Sequence, residues 1–327
     1  MSIVTLIVII FIIFALVFIL NIGFIDDSIS NVDNLTNINK SYRYLPSCAK
    51  FNDNKIWKTT IDKQKMREFL MKHDVPVPKG VLIDMSNFKR SQIKKLLEIK
   101  TRDLTFPLVL KPYNGTNGIG VITMITNFND LYRIVVDLFK TNKRNKLVIE
   151  EQKLGNTYRL LFVNGNLVGA KKGYPPYVVG DGMSTIEDLV NELNSNKTQD
   201  QIITINPHYL KSMKHSVSDI PRVGERINIT NVVTYVTEFL EKYPIEKIHP
   251  DNINVFIDLL DGPFQSNCLG IDFISPDISK SYLENGGAVI EFNSNPSRRI
   301  HGIHDKNFKK DYMREYRSLK SKYPKRK

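Results

Sequence analysis

The sequence predicts an α+β domain of antiparallel sheets carried behind one apolar N-terminal segment, and three observations predict it. Residues 128–140 (FNDLYRIVVDLFK) have the period of an amphipathic helix. They lead into KLVIEEQKLGNTYRLLFVNGNLVGA, three strand-like runs broken at Gly155 and at the Asn164-Gly165 hairpin signal. Two further apolar runs, GIDFIS and GGAVIEF, each carry one carboxylate, Asp272 and Glu291, where a plain core strand would hold Val or Leu. Residues 3–25 contain no charged side chain and would span roughly 34 Å as a helix.

A chain of 327 residues, 42% apolar and 24% charged, can bury a sizeable core and is not disordered. Cys48 and Cys268 lie far apart and form no CxxC, so neither a disulfide framework nor a zinc site is indicated, and a reducing compartment fits best. The apolar segment lacks the basic flank, the short length and the small-residue cleavage site of a signal peptide, so a single membrane span is expected. Lys40 and Arg43 follow it and no basic residue precedes it, which favours the C-terminal side as cytosolic. Of the net charge of +12, +8 sits in residues 306–327. The rest is nearly balanced, and a nucleic-acid partner is not expected.

Taken in order, residues 26–55 are polar, rich in Asn and Ser, and read as a linker. From Thr60, TIDKQKMREFLMKHDVPVPKG sets Ile61, Met66, Phe69 and Leu70 at helical spacing and ends in Val75-Pro76-Val77-Pro78, a helix followed by an extended stretch. In FPLVLKPYNGTNGIGV, residues 106–121, a β-rich run ends at Lys111, and a turn containing Gly115, Gly118 and Gly120 leads into a second strand. Such glycines let backbone N–H groups approach a phosphate, and the lysine supplies compensating charge. The pattern is neither a P-loop nor a dinucleotide fingerprint, because GxxxxGK[ST] is absent and a hairpin follows. Ser184-Thr185-Ile186-Glu187 reads as a capping box after the Gly180-Asp181-Gly182 turn, and His249 in IHPDN as a core or cap histidine.

Glu291 and Asn293 are two apart, so on a strand they share a face, and with Asp272 they offer three oxygen ligands. Such a set suits Mg²⁺ shared with nucleotide phosphates, although satisfied acids beside an Asx turn at Asn295-Pro296 have the same pattern. At the C-terminus Phe308, Tyr312, Tyr316, Leu319 and Tyr323 form an aromatic stripe on a helix whose other sides are basic. Either the stripe packs on the core, or the cationic end meets an anionic leaflet.

Residues 269–301, LGIDFISPDISKSYLENGGAVIEFNSNPSRRIH, resemble the metal-binding end of ATP-grasp ligases, in particular the ATP-grasp domain of cyanophycin synthetases and glutathione-synthetase-like enzymes. The DK…VPVP string, the strand lysine with its Gly-rich loop, VIEEQKLGNTYRLLFVNGNLVGA and PPYVVGDGMSTIEDL extend the resemblance over roughly residues 60–305. It implies an ATP-grasp fold, two α+β subdomains with antiparallel sheets clamping ATP. The chain would then divide into an anchor at 1–25, a linker at 26–55, an N-terminal helical subdomain at 56–105, the ATP-grasp domain at 106–305 and a basic tail at 306–327.

The resemblance further implies an ATP- and Mg²⁺-dependent carboxylate-amine ligase working through an acyl phosphate, on the cytosolic side of a membrane. Its substrates would be a small carboxylate, such as an amino acid or peptide, and an amine. Asp272, Glu291 and Asn293 would bind two Mg²⁺ ions, or Mn²⁺, with Glu291 bridging. Lys63, Lys111 and the loop glycines Gly115, Gly118 and Gly120 would hold the phosphates. Glu150, Gln152 and Lys153 would form the adenine hinge. Thr157 would meet the ribose where relatives usually carry an acid, and Lys111, Arg159 and Arg299 would act in catalysis. Ser297 stands where the family has Gly, and TNVVTYVTEF lacks the Asn-rich, Gly-Gly loop near the acceptor, so the substrate does not transfer. These departures keep open a nucleotide-binding scaffold without activity, and a phosphotransferase remains a further alternative.

Overall fold

The computed structural model describes residues 45–113, 118, 120–142, 145–198, 201–233, 237–302 and 307–324. The expected span at 3–25, most of the linker and Gly115 lie outside the described residues, among which no helix is long and apolar enough to cross a membrane. The unit that follows residue 46 contains everything below.

It begins earlier than expected, within the stretch read as linker. A 3₁₀ turn at Cys48–Phe51 leads into helix α1 (Asn54–Ile61) and helix α2 (Lys63–Lys72). Asp62 interrupts what the spacing predicts as one helix, because its carboxylate caps α2 by accepting from the Lys65 N–H. Next come β1 (Gly80–Asp84), α3 (Arg90–Thr101), β2 (Leu108–Pro112), β3 (Ile122–Ile125), α4 (Phe128–Asn142) and β4 (Lys146–Glu151). The strands pair antiparallel in the order β1-β4-β2-β3. Their buried Ile83, Leu110, Leu147 and Ile149 pack with Ile93, Leu97, Leu131 and Val135 of α3 and α4. A boundary at residue 105 therefore cuts through one sheet, since β1 and α3 belong with β2–β4.

The second layer begins with β5 (Asn156–Val163) and β6 (Asn166–Gly173), joined at Asn164 and Gly165, both with positive φ as an Asn-Gly hairpin turn requires. A small lobe follows: β7 (Tyr177–Val179), α5 (Ile186–Asn194), α6 (Pro207–Ser212) and β8 (Arg226–Asn228). Its capping box is Thr185 with Asp188, one residue later than the sequence suggests. The chain continues through β9 (Leu240–Lys242), α7 (Asp251–Asp261), β10 (Cys268–Ser275), α8 (Tyr282–Asn285), β11 (Ala288–Asn293), α9 (Arg299–Gly302) and α10 (Phe308–Lys322). His249 sits just ahead of α7, its Nδ1 accepting from the Asp251 N–H, which is the cap role.

The resulting five-stranded antiparallel sheet has the order β11-β10-β5-β6-β9. Tyr158, Leu160, Phe162, Ile271 and Phe273 pack with Met66, Leu70, Phe256 and Leu259 of α2 and α7 in the principal core. The alternate residues of β5, β6 and β10 point the other way, toward α9, α10 and the lead-in turn. There Phe308, Tyr312, Tyr316 and Leu319 are buried, and Phe51 lies edge-on to Tyr316 with centroids 5.4 Å apart. The aromatic stripe therefore packs on the core, each side chain contributing on the order of 2 kcal/mol by burial.

The cysteines overturn the expectation drawn from their spacing. Cys48 and Cys268 are joined in a buried disulfide, with Cα atoms 5.5 Å apart. Separation in sequence concealed the pair, because the lead-in turn folds back onto the start of β10. The absence of a disulfide, and the reducing compartment argued from it, are withdrawn.

Candidate functional site

The register of the larger sheet sets five charged side chains in one line. Glu291 on β11 opposes Asp272 on β10, Asp272 opposes Arg159 on β5, Arg159 opposes Lys171 on β6, and Lys171 opposes Lys242 on β9. Two carboxylates directly opposite repel each other, so each needs a cation. Arg159 meets Asp272 at 2.5 and 3.1 Å, in a pair whose side chains are both 8% exposed. Lys63, from the first turn of α2, meets Glu291 at 2.5 Å. A bulge leaves Ile290 unopposed beside Glu291, a device common next to active sites because it re-aims a side chain.

Asn293 opposes Gly270, and the chain then turns over that glycine. A Cβ at Gly270 would lie 2.9 Å from Pro296 and 3.0 Å from an Arg159 nitrogen, so only glycine lets the Asn-Pro turn and the guanidinium close over β10. The Asn293 amide nitrogen is buried without a partner among the described residues. A polar atom of this kind is costly unless something else completes the site. The two carboxylates and the Asn293 side-chain oxygen, two residues from one of them, form a hard-oxygen donor set that fits Mg²⁺ or Mn²⁺.

The smaller sheet meets the Glu291 end of this row at a narrow cleft lined by Lys63, Met66, Arg67, Val77, Lys111, Glu150 and Glu291. Lys111 on β2 pairs with Glu150 on β4. Just beyond, Tyr113 hydrogen-bonds the Asp62 cap of α2, tying the root of the Gly-rich loop to the helix that carries Lys63. That bond, ahead of burial, pushes the Tyr113 hydroxyl up to about 12. Burial works to raise the Asp62 carboxyl, but the Lys65 N–H, the Tyr113 hydroxyl and the Lys65 charge outweigh it and hold it below its ordinary value. Gly118 and Gly120 have φ of 70° and 75°, which glycine adopts readily.

The hinge residues are placed differently from one another. The N–H groups of Glu151 and Gln152 donate to Lys79 and Pro107, and the Gln152 side chain accepts from the Met124 N–H, so an adenine edge would meet the backbone beyond them, toward Lys153. Glu150 contributes its carboxylate to Lys111. Thr157 shares a strand face with Arg159 and opposes Gly173 and Ile274. Arg299, on α9, faces Gln201, whose amide oxygen, once turned toward it, accepts from both guanidinium nitrogens at 2.9 and 3.0 Å.

Sequence reasoning missed Lys171 and His301. Lys171 is 1% exposed, and counting outward from the Asn164-Gly165 turn pairs Arg159 with Ala170; a bulge between Leu161 and Phe162 shifts the partner to Lys171. His301 is 1% exposed, stacks on Phe308 and has both ring nitrogens without a hydrogen-bond partner among the described residues. Burial, followed by the charges of Arg159 and Lys171, drives its pKa well below the ordinary 6.5, so it is neutral.

Residues 60–174 match the RimK-like ATP-grasp domain. Cyanophycin synthetase of Geminocystis herdmanii is 26% identical over 250 residues, covering 73% of this chain and 28% of that protein. The glutathione biosynthesis bifunctional protein GshAB of Clostridium perfringens is 27% identical over 252 residues, covering 73% of this chain and 31% of its own. The chain thus spans less than a third of the length of these relatives. Among solved structures, a bifunctional glutathione synthetase from Pasteurella multocida aligns over 82% of this chain and 37% of its own, at 16% identity and a TM-score of 0.47.

Proposed function

We propose that this chain, which carries a RimK-like ATP-grasp domain, is an ADP-forming ligase that joins a carboxylate to an amine. The observation that carries the reading is the opposed pair Asp272 and Glu291, each neutralised by a cation from another element, with Asn293 two residues along the same strand as Glu291. A structural sheet gains nothing from two acids placed opposite each other. A site in which those acids also hold a metal–nucleotide complex does.

In the proposed reaction a carboxylate oxygen of the substrate attacks the γ-phosphorus of ATP, the bond to the ADP oxygen breaks, and an acyl phosphate forms. The amine then attacks the acyl carbon, phosphate leaves, and the amine proton passes to solvent. No protein nucleophile is needed, so the side chains act by position and charge. Lys111 and Lys63 would bind phosphate oxygens from opposite walls of the cleft, and Arg159 would hold the transferred phosphoryl group near Asp272. Bound at Asp272, Glu291 and Asn293, Mg²⁺ supplies further neutralisation of phosphate charge.

The substrates are proposed to be a small amino acid or peptide carboxylate and an amine. Residues 3–25 are proposed to tether the domain to a membrane on its ATP-containing, cytosolic side. The Cys48–Cys268 disulfide weighs against a strictly reducing environment there. Phosphate release from ATP, measured with a panel of added amino acids and amines, tests the activity: release that needs both is expected. Transfer of labelled phosphate to a stable product would make the chain a phosphotransferase, and no turnover with any pair would make it a scaffold. Alkaline extraction tests the tether, with the full chain staying in the membrane pellet and the chain lacking residues 1–40 released.

A further inference from the structure

Residues 47–60 precede all but the first residue of the matched ATP-grasp domain, yet their polar contacts converge on the ends of the two strands that carry the proposed metal ligands. Asn52 is saturated by them. Its amide nitrogen donates to the Cys268 carbonyl at 2.7 Å and the Ser294 carbonyl at 2.9 Å. Its oxygen accepts from the N–H groups of Asn267 and Cys268 at 2.9 and 3.0 Å and from the Ser266 hydroxyl at 3.1 Å. One side chain thus clips the start of β10 to the first residue after β11. The Thr60 and Ser294 hydroxyls meet at 2.8 Å, so Ser294 is held from two sides. The disulfide fixes the same segment to Cys268, four residues before Asp272.

We propose that residues 47–60 are a working part of the metal site: Asn52 and Thr60 are positioning residues that fix Ser294 and, through it, the neighbouring Asn293, with the disulfide as their covalent anchor. The inference rests on the ligase reading above and adds to it Asn52 and the disulfide, which lie outside the matched residues 60–174. The physical reason is leverage. Asn293 is the last residue of β11, and beyond it Asn52, Thr60, the turn over Gly270 and the Ser47 hydroxyl on Asn295 fix the direction in which the chain leaves the sheet. Groups that orient a ligand without touching the metal typically change its affinity by roughly ten- to a hundredfold.

The test uses the full chain and the non-hydrolysable analogue adenylyl imidodiphosphate, with Mn²⁺ binding read by electron paramagnetic resonance and nucleotide binding by calorimetry. Asn52→Ala and Thr60→Val are expected to weaken Mn²⁺ binding in the presence of the analogue by roughly tenfold. Thr60→Ser, which keeps the hydroxyl, restores it. Reduction of the disulfide, or Cys48→Ser, moves Mn²⁺ affinity the same way, while affinity for the analogue without metal stays unchanged in every folded variant. Wild-type Mn²⁺ affinity in folded Asn52→Ala and Thr60→Val overturns the inference and leaves the ligase reading standing. Failure of Thr60→Ser to restore binding, or equal losses of metal and metal-free nucleotide binding, also overturns it by reducing the segment to a structural brace. If the wild-type chain itself binds no Mn²⁺ with the analogue, the ligase reading falls and the positioning role with it.

Discussion

Across the cleft, the two walls carry their charge in different ways. On the four-stranded wall Lys111 and Glu150 form one pair over a sheet whose other face is an ordinary aliphatic core. On the five-stranded wall Glu291, Asp272, Arg159, Lys171 and Lys242 follow one another across five strands, acids at one end and cations at the other. The first arrangement can grip an anion and release it. The second is polarised along the sheet, and its middle members Asp272, Arg159 and Lys171 are buried. On the proposed function, the small sheet would grip the nucleotide and the acidic end of the large one would take part in the chemistry.

The largest expected effect breaks the polarised wall at its acidic end. Glu291→Gln should lower turnover at least about a thousandfold while leaving the circular dichroism spectrum intact, because metal-assisted charge stabilisation contributes several kcal/mol. Near-normal turnover in this variant would remove Glu291 from the site. Asp272 and Arg159 make a different point, since both are buried and each is the other's counter-ion. Arg159→Ala should cost about 3–5 kcal/mol in urea unfolding, the usual consequence of stranding a buried acid. A loss below about 1 kcal/mol, the range of solvent-exposed pairs, would mean that the row is solvated rather than built.

The gripping wall should respond more mildly. Lys111→Ala is expected to weaken ATP binding by roughly tenfold in calorimetry, with Lys111→Arg recovering only part of it because the guanidinium has a different shape. Unchanged binding in the alanine variant would transfer the grip to other groups. The smallest effect concerns pH. His301 is neutral in the fold and its ordinary pKa is 6.5, so below that value only the unfolded chain takes up its proton. Stability should therefore fall with acidification by up to about 1.4 kcal/mol per pH unit from this group, and be unaffected by it above pH 6.5. His301→Leu should flatten that part of the urea-midpoint profile; an unchanged slope would show that His301 titrates alike in both states.

That the carboxylates of two neighbouring strands come together could be read before the fold was seen. Asp272, Glu291 and Asn293 announce themselves as polar residues interrupting strand-like runs, and a two-residue spacing fixes their common face whatever surrounds them. Lys111 and the loop glycines are legible for the same reason, since the pattern is local. What stayed hidden depends on long-range closure. The Asn52 clip and the Cys48–Cys268 bond exist only because a segment that reads as linker folds back on β10. Lys171 was hidden by a one-residue bulge, which an alternation rule cannot anticipate. The aromatic stripe of α10 was visible, but its partners, Phe51 and the back of the sheet, were not.

The division of labour between the walls rests on one chemical claim, that a substrate carboxylate takes the γ-phosphoryl group of ATP. It is tested most directly with a substrate pair that supports turnover, its carboxylate labelled with heavy oxygen, and mass analysis of the released phosphate. The account predicts that each phosphate carries one labelled oxygen derived from the carboxylate, and that Glu291→Gln releases neither phosphate nor label. Unlabelled phosphate released at the full rate of turnover would mean that water, not the carboxylate, accepts the phosphoryl group, and would contradict the ligase assignment.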